Sequence, residues 1–153
     1  MQRSRRLWPE ILILGVLVHL VYFRTWNAGF VTDFTGLQWR LEGAAWYEFL
    51  HCFGFPALQQ LLHLILYIFY NIFKANGLPW YLLFTSLHIV NAVLLKQLVG
   101  KLAGRLKLPS PEWAAWAAAL LFALSPYQTE VLVWRVCLNF LLSGLFVLAS
   151  LHF

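Results

Sequence analysis

The sequence predicts an all-α, polytopic membrane protein, and its composition and its apolar patterning both indicate this class. Of 153 residues, 61% are hydrophobic and only 11% are charged, whereas soluble domains are about half apolar and about a quarter charged. Aromatic residues make up 18% of the chain, and their amphipathic rings favour the membrane–water boundary. Apolar stretches that approach the ~20 residues needed to cross the hydrocarbon core recur along the chain. The composition therefore excludes a water-soluble globule.

Four apolar stretches are expected to cross the membrane, at residues 8–26, 79–99, 113–125 and 131–153. The first follows Arg3, Arg5 and Arg6, and no small-residue cleavage site precedes Trp26. These features favour a retained signal anchor over a cleaved signal peptide. Between the last two stretches, a polar turn around Pro126 interrupts the apolar run.

A further stretch, at 57–74, is amphipathic, because its polar residues recur with nearly helical spacing and form one stripe. Such a helix either lies in the membrane interface or lines a polar cavity, and periodicity alone allows both. Charge favours the interface. If this helix lies flat outside, the cations that end and follow the 79–99 span stay in the cytoplasm with the N-terminal arginines. These cations are Lys96, Lys101, Arg105 and Lys107.

In that arrangement the N-terminus is cytoplasmic, 27–78 is an external loop and 100–112 is a cytoplasmic loop. The external loop contains a second amphipathic segment, at 37–50, which we expect to be another juxtamembrane helix. The net charge of +5 comes from basic residues between apolar runs rather than from a patch. The expected partner is therefore the lipid bilayer and not nucleic acid. The sequence has no phosphate-binding glycine loop, Ser-His-Asp arrangement or metal-ligand cluster.

Asp33 and Glu130 are the candidate catalytic carboxylates, since this topology puts both on the external side. Asp33 follows the first span in a segment of aromatic and turn-forming residues. A carboxylate there can act as a general base toward a hydroxyl or hold a divalent cation. Both acids also have ordinary alternatives, as a helix cap for Asp33 and as a solvated turn or helix-start acid for Glu130.

Other polar residues fall into two groups. His88 and Asn91 lie three residues apart on one face of the 79–99 span, so we expect them to face the bundle interior and to hydrogen-bond between helices. Arg40, Lys74 and Arg135 lie near the external boundary, where they can bind a lipid phosphate. Snorkelling toward the headgroups explains these cations equally well.

Four segments resemble motifs of the membrane O-mannosyltransferases that carry tetratricopeptide repeats, and of their bacterial relatives. Residues 119–134, ALLFALSPYQTEVLVW, resemble the segment ALLFALHPxxxEAVAW, and residues 87–95, LHIVNAVLL, are similar to HxxNAxLL. Residues 27–33, NAGFVTD, resemble NGFVxDD, and residues 70–79, YNIFKANGLP, resemble the turn YxLFGxNP. The order and spacing of these motifs agree over nearly the whole chain.

This resemblance implies the fold of the GT-C glycosyltransferases, whose first external loop carries two juxtamembrane helices. It also implies transfer of a sugar from a polyprenyl-phosphate donor to a protein or glycan acceptor outside the cytoplasm, with a bacterial inner membrane favoured over the endoplasmic reticulum. Asp33 would be the catalytic acid–base residue and Glu130 a second active-site acid. The relatives continue beyond the equivalent of Phe153, so the resemblance covers only their N-terminal portion.

Two other functions stay open at this stage. Relatives have a second acid where this chain has Phe34, and they carry an Arg and an Asp in the segment that here reads CLNFLL, residues 137–142. These differences favour a membrane scaffold that keeps the fold without the chemistry. A channel or transporter subunit is the third alternative, and His88 and Asn91 are the polar residues available to it within the spans.

Overall fold

The computed structural model describes residues 7–27 and 57–152, together with residues 42, 43, 45 and 47 of the segment between them. Within these residues all regular structure is helical, which confirms the predicted all-α class for this part of the chain. The elements are α1 (Leu7–Tyr22), α2 (Ala57–Phe73), α3 (Gly77–Arg105), α4 (Pro111–Ala123), α5 (Gln128–Val133) and α6 (Leu138–Ser150), with 3₁₀ turns at Phe23–Asn27 and Arg135–Cys137.

Helix α3 is the centre of the bundle, because α1, α4 and α6 all pack against it. Two of these three helices, α1 and α4, run antiparallel to it. The end of α1 meets the end of α4 through a hydrogen bond of 2.7 Å from the Tyr22 hydroxyl to the Ser125 carbonyl oxygen. His19 Nδ1 of α1 lies 2.7 Å from the hydroxyl of Tyr81, near the start of α3. We call this end of the bundle the loop end, since the segment between α1 and α2 leaves from it.

Two helical segments are long and apolar enough to cross a membrane, α1 with its 3₁₀ turn over 21 residues and α3 over 29 residues. Only 17% of the apolar window of the first is buried inside the protein. The exposed side of α1 carries large apolar side chains, which are Trp8, Leu12, Val16 and Leu20. A surface of this kind is suited to lipid rather than to water.

The later helices differ in their bounds from the predicted spans. Helix α4 begins at Pro111, two residues before the predicted span 113–125, and the Ser110 side chain makes no cap hydrogen bond. The predicted span 131–153 is divided instead, because Trp134 is extended (ψ 110°) and separates α5 from α6. Helices α4 and α6 have 13 residues each. The single polar turn expected at 125–130 is thus followed by a second interruption of the apolar run.

Helix α2 confirms the helix predicted at 57–74, and it ends at Phe73. Lys74 then adopts a positive φ of 49°, and Asn76 caps α3 by accepting a hydrogen bond of 3.2 Å from the Leu78 amide. Although only three residues separate them, α2 does not pack lengthwise along α3. The predicted helix at 37–50 lies outside the described residues apart from four positions, of which Glu42 and Gly43 are helical.

Candidate functional site

Several of the predicted site residues occur at the loop end, where three connections bring the helix ends together. Gly77 begins α3 directly against the carbonyl oxygen of Trp26, which leaves no room for a Cβ atom at position 77. Tyr22 bonds to the Ser125 carbonyl as described above. Trp80 is fully buried and donates a hydrogen bond of 2.9 Å from Nε1 to the carbonyl oxygen of Lys74. These contacts fix the ends of α1, α2, α3 and α4 relative to one another.

Arg135 is inside this end of the bundle rather than at its surface, with 2% of the residue exposed. Its guanidinium lies 5.3 Å from the ring centroid of Phe84 and 5.9 Å from that of Trp80. It also donates a hydrogen bond of 3.2 Å to the Leu132 carbonyl oxygen. Cation–π contacts and a carbonyl acceptor stabilise a desolvated guanidinium. Arg135 therefore does not snorkel into solvent, which was one of the two roles expected from its sequence position.

Lys74 is exposed at this end, as is Arg24, and it belongs to a chain of polar contacts with the first loop. Its ammonium lies 3.4 Å from Asn71 Oδ1 and 5.4 Å from the centroid of the Tyr70 ring. Tyr70 in turn is 2% exposed, and its hydroxyl donates a hydrogen bond of 2.6 Å to Glu42 Oε1. The polar stripe predicted on α2 thus includes a buried tyrosine that ties the helix to the loop, while Ile68 and Ile72 are exposed.

Of the two candidate carboxylates, Glu130 lies among the described residues. Glu130 is exposed and lies in the first turn of α5. An acid at this position is stabilised by the positive end of the helix dipole. This environment is compatible with both of its expected roles, the active-site acid and the helix-start acid. Asp33 and Arg40 lie outside the described residues. Glu42, a described residue of the same loop, accepts the hydrogen bond from Tyr70.

His88 and Asn91 lie inside the bundle, at 0% and 1% exposure. His88 Nε2 lies 3.0 Å from the Ala123 carbonyl oxygen of α4. Asn91 Nδ2 donates a hydrogen bond of 2.9 Å to the Leu141 carbonyl oxygen of α6. Each side chain thus joins α3 to a different neighbouring helix.

A second charged cluster, which the sequence did not indicate, occupies the opposite end of the bundle. Lys96 is 3% exposed, and its ammonium lies 2.9 Å from a carboxylate oxygen of Glu10 on α1 and 2.9 Å from one of Glu112 on α4. The Trp116 ring centroid is 4.6 Å from the same ammonium. Lys96 therefore does not act as a loop cation, which corrects its place in the charge count of the sequence analysis. Glu10, Lys96 and Glu112 lie too far apart in the sequence for their spacing to predict this contact.

Among the described residues, no three His, Cys, Asp or Glu side chains come together as a metal site. Compared with protein families, with curated proteins and with solved structures, the chain matches none. The arrangement itself is an all-helical bundle with an exposed cation and acid at one end and a buried ion cluster at the other.

Proposed function

We propose that this chain is a membrane glycosyltransferase of the GT-C type, which transfers a sugar from a polyprenyl-phosphate donor to an acceptor hydroxyl at the extracytoplasmic membrane face. The observation that carries the proposal is the composition of the loop end. It combines the exposed Lys74 and Glu130 with the buried Arg135, and Glu42 of the loop that also carries Asp33 accepts a hydrogen bond from Tyr70 of α2. The motif resemblance supplies the reaction class.

The proposed topology has four spans. Helix α1 runs outward, α2 lies flat on the outer leaflet, α3 runs inward, α4 runs outward and α6 returns. Two observations support it. Helix α2 leaves α3 without packing along it, and its exposed residues mix apolar Ile68 and Ile72 with polar Asn71, as an interfacial helix requires. At about 20 Å each, α4 and α6 are shorter than the ~30 Å hydrocarbon core, so the adjoining apolar turns complete these two spans.

In the proposed reaction, the Asp33 carboxylate removes the proton from the acceptor hydroxyl as the oxygen attacks the anomeric carbon of the donor sugar. The bond from that carbon to the polyprenyl phosphate breaks, and the phosphate leaves with the electron pair. Lys74, which is exposed, stabilises the developing negative charge, and the buried Arg135 adds positive potential from beneath Trp80. Arg40 and Glu130 complete the set of polar groups assigned to this face, and a divalent cation, if used, would be held by Asp33.

The decisive experiment measures glycosyl transfer in proteoliposomes from a polyprenyl-phosphate sugar, with the full-length gene product and its Asp33→Asn variant. Loss of a general base lowers the rate by about 10²–10⁴-fold, so we expect a loss in that range. Glu112→Gln at the opposite end is the matched acid control, and it should retain activity once its insertion has been verified. Undiminished transfer by correctly inserted Asp33→Asn would reject Asp33 as the base.

A second candidate function is a non-catalytic membrane scaffold with the same fold. The specific observation in its favour is Arg135, since its guanidinium is engaged with Phe84, Trp80 and the Leu132 carbonyl inside the protein. A charge used in this way stabilises the bundle whether or not a substrate binds. Binding of a radiolabelled polyprenyl-phosphate sugar separates the two functions. A glycosyltransferase should bind the donor saturably, and its Lys74→Met variant should bind the donor more weakly. A scaffold should show no saturable binding in either protein.

A further inference from the structure

His88 presents a hydrogen-bond acceptor to the interior of the bundle. Because its Nε2 lies 3.0 Å from the Ala123 carbonyl oxygen, which only accepts, we assign the ring proton to Nε2. The other ring nitrogen, Nδ1, is then an acceptor in the neutral ring. It is buried and has no hydrogen-bond partner among the described residues. The adjacent rings are Phe122, with its centroid at 4.9 Å, and Tyr22, at 6.1 Å, and the Tyr22 hydroxyl already donates to Ser125.

Asn91 presents a second acceptor one helical turn away. Its amide nitrogen donates to the Leu141 carbonyl oxygen, which fixes the orientation of the amide and leaves Oδ1 as the remaining acceptor. Within the described part of the chain, Oδ1 is buried and has no partner. Gly144 of α6 packs closely against this side chain, since a Cβ atom there would stand 3.2 Å from Asn91 Nδ2.

We propose that a single buried water molecule binds between His88 and Asn91 and donates one hydrogen to Nδ1 and the other to Oδ1. Residues three apart on a helix are neighbours on one face, with Cβ atoms about 5–6 Å from each other. Their side-chain acceptors can therefore reach one shared oxygen through hydrogen bonds of about 2.8 Å. A buried acceptor left without a donor destabilises the protein by about 1–3 kcal/mol. Water is the smallest molecule that supplies two donors at once.

The surrounding charges favour a neutral ligand over a cation such as ammonium. Lys96 lies further along the buried face of α3, and the Arg135 guanidinium contacts Phe84, one turn before His88. A buried cation needs a counter-charge, and the carboxylates of Glu10 and Glu112 are already bonded to Lys96. This water site is separate from the proposed glycosyltransferase site and does not depend on it.

Water-edited solid-state NMR of the full chain in lipid nanodiscs, with ¹⁵N-labelled histidine, tests the proposal. The His88→Gln variant identifies the His88 signals. We expect magnetisation transfer from a bound water to His88 Nδ1, and a chemical shift of a hydrogen-bonded acceptor nitrogen. Asn91→Leu, which has a similar volume without the acceptor, should abolish the transfer. Thr85→Val is the matched control, since the Thr85 hydroxyl already donates to the Tyr81 carbonyl oxygen at 2.7 Å, and it should leave the transfer unchanged.

The unmodified protein decides the question even if Asn91→Leu does not fold, because the Nδ1 shift alone distinguishes a hydrogen-bonded acceptor from a bare one. A bare Nδ1 without water transfer would overturn the proposal. So would a doubly protonated ring, since Nδ1–H would then donate to the Asn91 oxygen directly. Equal transfer in Asn91→Leu and the unmodified protein would show that Asn91 takes no part.

Discussion

The buried ammonium of Lys96 donates hydrogen bonds of 2.9 Å to the carboxylates of Glu10, which is largely buried, and Glu112, which is exposed. The bond to Glu10 joins the first turn of α1 to α3 across 86 residues of sequence. A lysine in an apolar bundle is costly unless it is paired. The two acids therefore make it possible for α3 to carry a charge in its buried face, and they attach α1 and α4 to it.

We predict that Lys96→Met destabilises the protein by about 3–5 kcal/mol, because it leaves the Glu10 carboxylate buried without its counter-charge. Adding Glu10→Gln should recover most of that loss, since the uncompensated charge is then gone. Reversible unfolding in mixed detergent micelles measures these differences. Lys101→Met is the control, because Lys101 is an exposed lysine on the same helix and such residues contribute at most about 1 kcal/mol. Equal stability of the two single variants would contradict the account.

Helix α1 should remain attached in the mature protein. It supplies Glu10 to the Lys96 cluster, His19 to Tyr81 and Tyr22 to Ser125, so its removal would leave Lys96 with one partner of two. Intact-mass measurement of protein purified from membranes should give a chain that includes α1. A mature species beginning near Trp26 would show that α1 is a cleaved signal peptide.

Gly77→Ala should destabilise the loop end, because the new methyl group would collide with the Trp26 carbonyl oxygen. Overpacking of this kind costs about 1–3 kcal/mol. Gly104 is the matched control at the other end of α3, since nothing lies within 4 Å of a Cβ built there. Gly104→Ala should stabilise α3 by up to about 1 kcal/mol through helix propensity. Thermal unfolding followed by circular dichroism should therefore shift in opposite directions for the two variants, and a common shift would reject the proposed contact.

Tyr22→Phe removes the hydroxyl that joins α1 to the end of α4, and it leaves the Ser125 carbonyl without that donor. We expect a loss of about 1 kcal/mol in the free energy of unfolding. Tyr127→Phe is the control, because Tyr127 is 86% exposed and should change stability by less than about 0.5 kcal/mol. A Tyr22→Phe protein as stable as the control would show that the hydroxyl contributes nothing to this junction.

The sequence predicts the helices well where hydrophobic periodicity is strong, as at α2, and where an apolar run is long, as at α3. It also predicts the interruption at Pro126, which follows α4. It does not predict the division of 131–153. Trp134 and Arg135 are compatible with a helix, and Arg135, which lies at the interruption, contacts Trp80 and Phe84 of the distant helix α3. Local patterns contain no information on such a contact.

For the site residues too, the sequence predicts some positions inside the bundle but not the contacts between distant helices. Asn91 and His88 could be placed inside the bundle because polar groups in a span avoid lipid. The charge pattern predicts Lys96 to be a loop cation, because its sequence neighbours are ordinary helix residues and its partners lie on α1 and α4. Charge counting along the sequence treats every lysine as exposed, and only the packing of three helices reveals the exception.

The central claim is that the loop end faces outside while the Lys96 end faces the cytoplasm, with α2 lying flat. Cysteine accessibility tests it most directly, in a background in which Cys52 and Cys137 are replaced by Ser. A membrane-impermeant maleimide should label Ala75→Cys and Thr129→Cys in intact cells, and it should label Lys101→Cys only after permeabilisation. Labelling of Lys101→Cys in intact cells, with Ala75→Cys and Thr129→Cys protected, would mean that the loop end faces the cytoplasm. The candidate site would then lie on the wrong side of the membrane for an extracytoplasmic reaction.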